Sequence, residues 1–154
     1  MKIGGMVENT GLIMYKISAL EDLPGAAGEI LKFFAEKNLN LEYITESGIT
    51  DGKASMTLCV KELVGNQIDQ YLEKQKDFKE KLNIHKTGKV CVLGVYGPHF
   101  REKPSIAARF CTLLGKADVN ILGLSSSISS ICGIIKSKEL EKAKKAILKG
   151  FELP

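Results

Sequence analysis

The chain has 154 residues, 44% apolar and 26% charged, enough to bury one core or two small packed ones. Its net charge of +4 is modest, and lysines such as Lys142, Lys144, Lys145 and Lys149 read as the solvated face of a late helix, which argues against a nucleic-acid surface. No apolar run approaches the roughly 18 residues of a membrane span, and the first residues lack a signal peptide's apolar core.

In chain order, Lys2 to Val7 reads as a short strand closed by the turn signal Glu8-Asn9-Thr10-Gly11, and Leu12 to Ala19 as a second strand. The stretch Asp22-Leu23-Pro24-Gly25-Ala26-Ala27 then predicts a tight turn and a helix from about Pro24 to Lys37. Its apolar residues Ala27, Ile30, Leu31 and Phe34 repeat at helical spacing. An Asn-marked turn leads to strands Leu41 to Ser47 and Ala54 to Val60, joined through Ile49-Thr50-Asp51-Gly52, where Asp-Gly is a hairpin signal. A helix carrying Ile68, Tyr71 and Leu72, with Phe78 as a further candidate, precedes a strand Leu82 to Lys86 that Thr87-Gly88 breaks. A second series follows: strand Val90 to Tyr96, loop 97–103, a helix to about Lys116, strands Ile121 to Ile128 and Ile131 to Lys136, and a helix Glu139 to Lys149. Cys59, Cys91, Cys111 and Cys132 stand in apolar surroundings without C-x-x-C spacing, as expected of reduced core thiols in a cytoplasmic protein.

The second series repeats the first. A shift of 80 positions lays Pro104, Ala107, Phe110, Leu114, Val119, Asn120 and Ile121 on Pro24, Ala27, Ile30, Phe34, Leu39, Asn40 and Leu41. Counting strands leaves the second unit one short and the first preceded by a spare. Two units are therefore expected, 8–87 and 88–154, with the N-terminal strand 1–7 crossing over to cover the open edge of the second.

With these residues in view, the chain resembles the ACT domain, a small ferredoxin-like amino-acid-sensing module, and more closely the paired ACT regulatory region of aspartate kinases. The likeness rests on Asp22-Leu23-Pro24-Gly25 with Asn38-Leu39-Asn40-Leu41 in the first unit. In the second it rests on Pro104-Ser105-Ile106-Ala107 with Val119-Asn120-Ile121, then Ser125-Ser126-Ser127 and Phe151-Glu152-Leu153. The resemblance implies an α+β fold of two interlocked βαββαβ units, antiparallel sheets with helices on one face. It departs at Ser105, where the family has Gly, at Tyr96-Gly97-Pro98-His99-Phe100, where the family has a Gly-Met turn, and at Glu46, where Gln is frequent. The kinase portion of those proteins has no counterpart in these residues.

Backbone N–H groups at the start of the helix after Pro24, approached closely because Gly25 has no side chain, favour an anion such as an amino acid's α-carboxylate. Asp22 is placed to take the α-ammonium and the Asn40-Leu41 backbone to add hydrogen bonds. Each also has a plain structural reading: Asp22 as a helix cap, Asn40 as a turn residue, Glu46 as a solvated strand residue. The expected ligand set is thus Asp22, Pro24, Gly25, Ala26, Asn40, Leu41 and Glu46, and the resemblance extends it to Ser105, Ile106, Asn120, Ile121 and Ser126 in the second unit. Catalysis finds no support: His85 and His99 are isolated, Ser125-Ser126-Ser127 lacks a Gly-x-Ser-x-Gly elbow, and no phosphate loop is present. No cofactor and no metal are expected. The resemblance implies a homodimeric regulatory protein that binds an amino acid of the lysine or threonine type. Its alternatives are a separate regulatory subunit or piece of an aspartate kinase, or an assembly module without ligand, and a kinase or other metabolic enzyme is a candidate partner.

Overall fold

The computed structural model describes residues 1–21, 25–49, 51–74, 83–98 and 100–154. They form two compact units, Leu12–Gly88 and Met1–Gly11 together with Lys89–Pro154. Strands β1 (Gly5–Glu21) and β4 (Asn83–Tyr96) are divided between the units, and every other element belongs to one of them.

The unit Leu12–Gly88 adds α1 (Ala26–Glu36), β2 (Tyr43–Ile49), β3 (Lys53–Lys61) and α2 (Gly65–Lys74) to its shares of β1 and β4. The strand order is β2-β3-β1-β4, with β3 antiparallel to both neighbours. This is the ferredoxin-like βαββαβ order. Alternation decides which face is covered: Ile13, Tyr15 and Ile17 on β1 and Ala54, Met56, Leu58 and Val60 on β3 share one side. Against that side pack Ile30, Phe33 and Phe34 of α1, about one turn apart, and Ile68 of α2. Phe33 and Tyr71 stack with centroids 3.9 Å apart and join the two helices. Asp51 and Gly52 close the β2–β3 hairpin at φ 68° and 67°, a left-handed pair that this dipeptide adopts readily.

The other unit builds the same pattern from α3 (Ile106–Lys116), β5 (Gly123–Ser126), β6 (Ser130–Lys136) and α4 (Leu140–Ile147), in the order β5-β6-β4-β1. Residues 5–11 lie beside β4 in this sheet, and Lys2 forms a parallel bridge with Glu152 on the other side of the N-terminal segment. Ile3 is buried in the core with Leu93, Phe110, Leu114, Ile135 and Ile147. The Ile3 N–H donates to the Glu152 carbonyl at 3.0 Å, the Gly4 N–H donates to the Tyr96 carbonyl at 2.7 Å, and Lys144 pairs with Glu8 at 2.8 Å. The ring of Tyr96 lies against this segment so closely that a Cβ on Gly5 would sit 2.6 Å from its hydroxyl oxygen.

Two expected breaks are not breaks. Glu8 to Gly11 was expected to end one strand and Thr87-Gly88 another, yet β1 and β4 each run through. Gly11 at φ 69° and Lys89 at φ 53° put a single left-handed residue into each strand where it passes from one unit to the other. The turn-like composition thus marks an irregular residue within a strand and not a chain reversal. Element ends also move: the first helix starts at Ala26, and β5 covers Gly123–Ser126 only, leaving Ile128 in the turn and 72% exposed. Phe78 lies outside the described residues.

Candidate functional site

α1 and α3 begin and end alike, 80 residues apart. The N-cap of α1 is Gly25 at φ 89°, that of α3 is Ser105 at φ 92°, and neither makes a side-chain capping bond. The first carbonyl acceptors are Gly25, bonded by the Glu29 N–H at 3.2 Å, and Ser105, bonded by the Arg109 N–H at 2.8 Å. With a left-handed cap and no capping bond from the cap residue, the first-turn N–H groups, the positive end of the dipole, are not satisfied by the side chain of the cap residue. At the far end, Asn38 and Asp118 both take φ 53°. The Leu39 N–H returns to the Phe34 carbonyl at 2.8 Å, and the Val119 N–H to the Leu114 carbonyl at 3.0 Å, so both helices stop in a Schellman motif.

Register places the strand candidates relative to these helix starts. Glu46 stands opposite Met56, which stands opposite Ile17. Directly paired residues share a face, so Glu46 lies on the helix-bearing side, exposed on the outer strand β2. It is three residues from Ile49, the end of the sheet at which β1 runs toward the start of α1. In the other unit Ser126 stands opposite Ile131, a core residue, and Val95 is the next partner across, one residue from the end of β4. Each unit therefore gathers a helix start and one polar residue of an outer strand at one end of one face: Gly25–Ala26 with Glu46, and Ser105–Ile106 with Ser126. Ile106 itself turns into the core and offers its backbone alone.

Asn40 with Leu41, and Asn120 with Ile121, lie beyond the opposite end of their helices. An 11-residue helix is about 16 Å long, so within a unit these residues do not reach a small ligand held at the helix start. Leu41 and Ile121 instead pack on the two cores. Asp22 and Pro24 lie outside the described residues, as does His99. His85 is exposed on β4, and among the described residues no cluster of His, Cys, Asp and Glu could hold a metal ion. No described helix is long and apolar enough to cross a membrane. Cys59 is fully buried, and its burial pushes its thiol up to about 12.

One polar group escaped the sequence reading. The Tyr15 hydroxyl donates to Asp69 Oδ1 at 2.8 Å, and Lys86 Nζ donates to Asp69 Oδ2 at 2.6 Å, so β1, α2 and β4 are tied through one carboxylate. Burial first, then the Asp69 hydrogen bond and charge, raise Tyr15 well above the ordinary tyrosine range. Asp69 and Lys86 line a cleft of about 480 Å³ in the unit Leu12–Gly88. A tyrosine in the middle of an apolar strand is the signal that could have revealed it, because a buried phenol needs a partner.

Residues 93–151 match a family model described as ACT domain. An aspartokinase of Mycolicibacterium smegmatis is 30% identical over 142 residues, covering 89% of this chain and 33% of that protein. An aspartate kinase of Pseudomonas fluorescens is 27% identical over 154 residues, 98% of this chain and 37% of its own. Among solved structures, the ligand-free regulatory subunit of aspartate kinase from Thermus thermophilus superposes with a TM-score of 0.84 at 18% identity, over 97% of this chain and 99% of that one. The chain resembles the paired ACT regulatory region of aspartate kinases. It spans about a third of the length of the curated relatives it matches. The ACT match begins at Leu93 in β4 and ends at Phe151, so it falls within the unit that holds Lys89–Pro154. Structures similar to the ACT pair include isolated regulatory pieces and whole aspartokinases alike.

Proposed function

We propose that this chain is a non-catalytic regulatory protein that binds a free amino acid at the helix starts of its ACT units. The observation that carries the reading is the paired occurrence of a left-handed N-cap without a capping side chain, facing the same end as an exposed polar residue of the outer strand. The N–H groups of the first turn take the α-carboxylate, and Asp22 takes the α-ammonium. Glu46 then meets the ligand's side chain, where a carboxylate favours a cationic tail, with a charge-assisted bond contributing about 1.5–3 kcal/mol. Lysine is thus the preferred effector over threonine. An E. coli aspartokinase III of the same fold was captured with lysine and aspartate.

Thermal shift and calorimetry with single amino acids test this, since a ligand that binds only the folded chain raises its melting point. Lysine is expected to stabilise more than threonine, Asp22→Ala to remove the effect, and Glu46→Gln to narrow the gap between the two. Tighter binding of threonine to the parent chain, or an unchanged ratio in Glu46→Gln, refutes the assignment. A chain that no amino acid stabilises is left with assembly as its role.

The 30% identity to an aspartokinase, together with the fold shared with the Thermus thermophilus regulatory subunit, supports a second element: this chain conveys ligand state to an aspartate-kinase-type catalytic polypeptide. Co-purification with such a polypeptide is the expected outcome. The outer strands β2 and β5, with Ile44 and Leu124 40% and 43% exposed, further support homodimer formation. Light scattering at tens of micromolar should give twice the chain mass, and a monomer mass counts against it.

A further inference from the structure

The geometry points to a second small-molecule site, remote from the start of α1: the cleft between α2 and β4 takes a zwitterionic α-amino acid with an aliphatic side chain. Its volume of about 480 Å³ lies in the range of small-ligand sites. Tyr15, at the floor, precedes the end of β1 by six residues, about 20 Å of strand, and neither α1 nor β2 lines the cleft. The two sites are therefore separate places on one unit.

The lining groups divide by charge. Among the described residues, Lys86 carries the only cation of the lining, held on Asp69 at 2.6 Å with its nitrogen 5.9 Å from the centre of the Tyr15 ring. Asp69 spends one oxygen on Lys86 and the other on the buried Tyr15 hydroxyl, so it acts as a positioning residue for the ammonium. One of the three N–H donors of Lys86 is used by this pair, and its side chain stays 43% exposed. The Glu73 carboxylate and the Asn83 side-chain amide also line the cleft and have no partner among the described residues. Leu72 and Ile84, half-buried, supply the apolar wall. With the Asp69 charge matched by Lys86, the free groups left are a cation's donors with an amide, an opposed carboxylate, and an apolar strip. Lys86 and Asn83 bind the ligand's carboxylate, Glu73 binds its ammonium, and Leu72 with Ile84 cover its side chain.

The full chain, labelled with nitrogen-15, is titrated with L-leucine, with 4-methylpentanoate, which lacks the ammonium, and with 3-methylbutylamine, which lacks the carboxylate. Leucine should give saturable shifts at residues 69–73 and 83–86, and each fragment should bind at least about tenfold more weakly. Glu73→Gln and Asn83→Ala, at exposed side chains, should each weaken leucine at least about fivefold while leaving the melting point without leucine unchanged. Fragments binding as well as leucine, variants binding as well as the parent, or shifts confined to residues 25–30 and 46 overturn the proposal. Loss of lysine stabilisation in Asp22→Ala reads only the helix start, so the failure of one site is distinguishable from failure of the other.

Discussion

Replacing Gly25 by alanine isolates the left-handed cap on which the proposed ligand site depends. Gly25 sits at φ 89°, and a Cβ built there meets nothing within 4 Å among the described residues, so the cost is backbone strain without a clash there. A left-handed conformation costs an L-residue about 1–2 kcal/mol, while alanine stiffens the unfolded chain and returns about 0.4–1 kcal/mol. The net loss is about 1 kcal/mol, or about 2–4 °C in melting temperature for a chain of this size. Three residues on, Gly28 is exposed within α1 and its Cβ likewise meets nothing, but its φ is not positive. Gly28→Ala should therefore stabilise, by about 0.5–1 kcal/mol. Ser105 already bears the strain at φ 92°, so Ser105→Gly should gain what Gly25→Ala loses. Urea unfolding reads all three as midpoint shifts at constant slope. Gly25→Ala shifting the midpoint in the same direction as Gly28→Ala would show that α1 starts from an ordinary right-handed residue, and the open first turn would go with it.

The remaining expectations are sharper in sign than in size. Gly94→Ala brings a Cβ to 2.5 Å from both the Cys132 sulfur and the Ile131 carbonyl oxygen, and should cost about 2–3 kcal/mol or prevent folding in urea melts; Gly65→Ala should cost less, because its obstacle is the mobile end of Ile13. Burial raises Cys59 from 9.0 to about 12, so its contribution is complete below pH 9 and is lost as pH rises from 9 through 12. In that window stability should fall by about 1.4 kcal/mol per pH unit from this group, and Cys59→Ala should flatten the decline. Deleting residues 2–7 should raise amide exchange first in Val90 to Tyr96 and Ile131 to Ile135, around the lost Ile3; protection lost only in Leu12 to Ala19 contradicts the pairing described.

Much of the fold was legible because two periods were clean. Alternation in Ala54 to Val60 and helical spacing in Ile30 to Phe34 name the faces that the structure buries. The 80-residue offset was legible for a stronger reason, since cap, helix length and Schellman stop all recur in step. What composition could not separate was a turn from a left-handed residue inside a strand, at Gly11 and Lys89, because both call for the same backbone freedom. For the proposed site, the sequence names Gly25 and Glu46 one by one and the fold sets them toward one end of the unit, whereas the length of α1 sets Asn40 at the other end. The Tyr15–Asp69–Lys86 group was invisible since its members are 54 and 17 residues apart.

The division of β1 and β4 between units also orders events in time. Residues 12–88 are contiguous, whereas the other unit needs residues 1–11 together with 89–154. On a ribosome releasing about 5–20 residues per second, the contiguous unit gathers all its strands within seconds of its own first strand. Residues 1–11 are made before the rest of their unit and must wait for β4 and β6, carrying Ile3 and Met6 uncovered meanwhile. Closing so long a loop is slow, and an unpaired apolar strand left waiting is the element most open to pairing with another nascent chain. Gly4 and Gly5, which the ring of Tyr96 requires in the finished sheet, also make that waiting strand a poor template, because glycine weakens strand pairing until Tyr96 arrives to cover it.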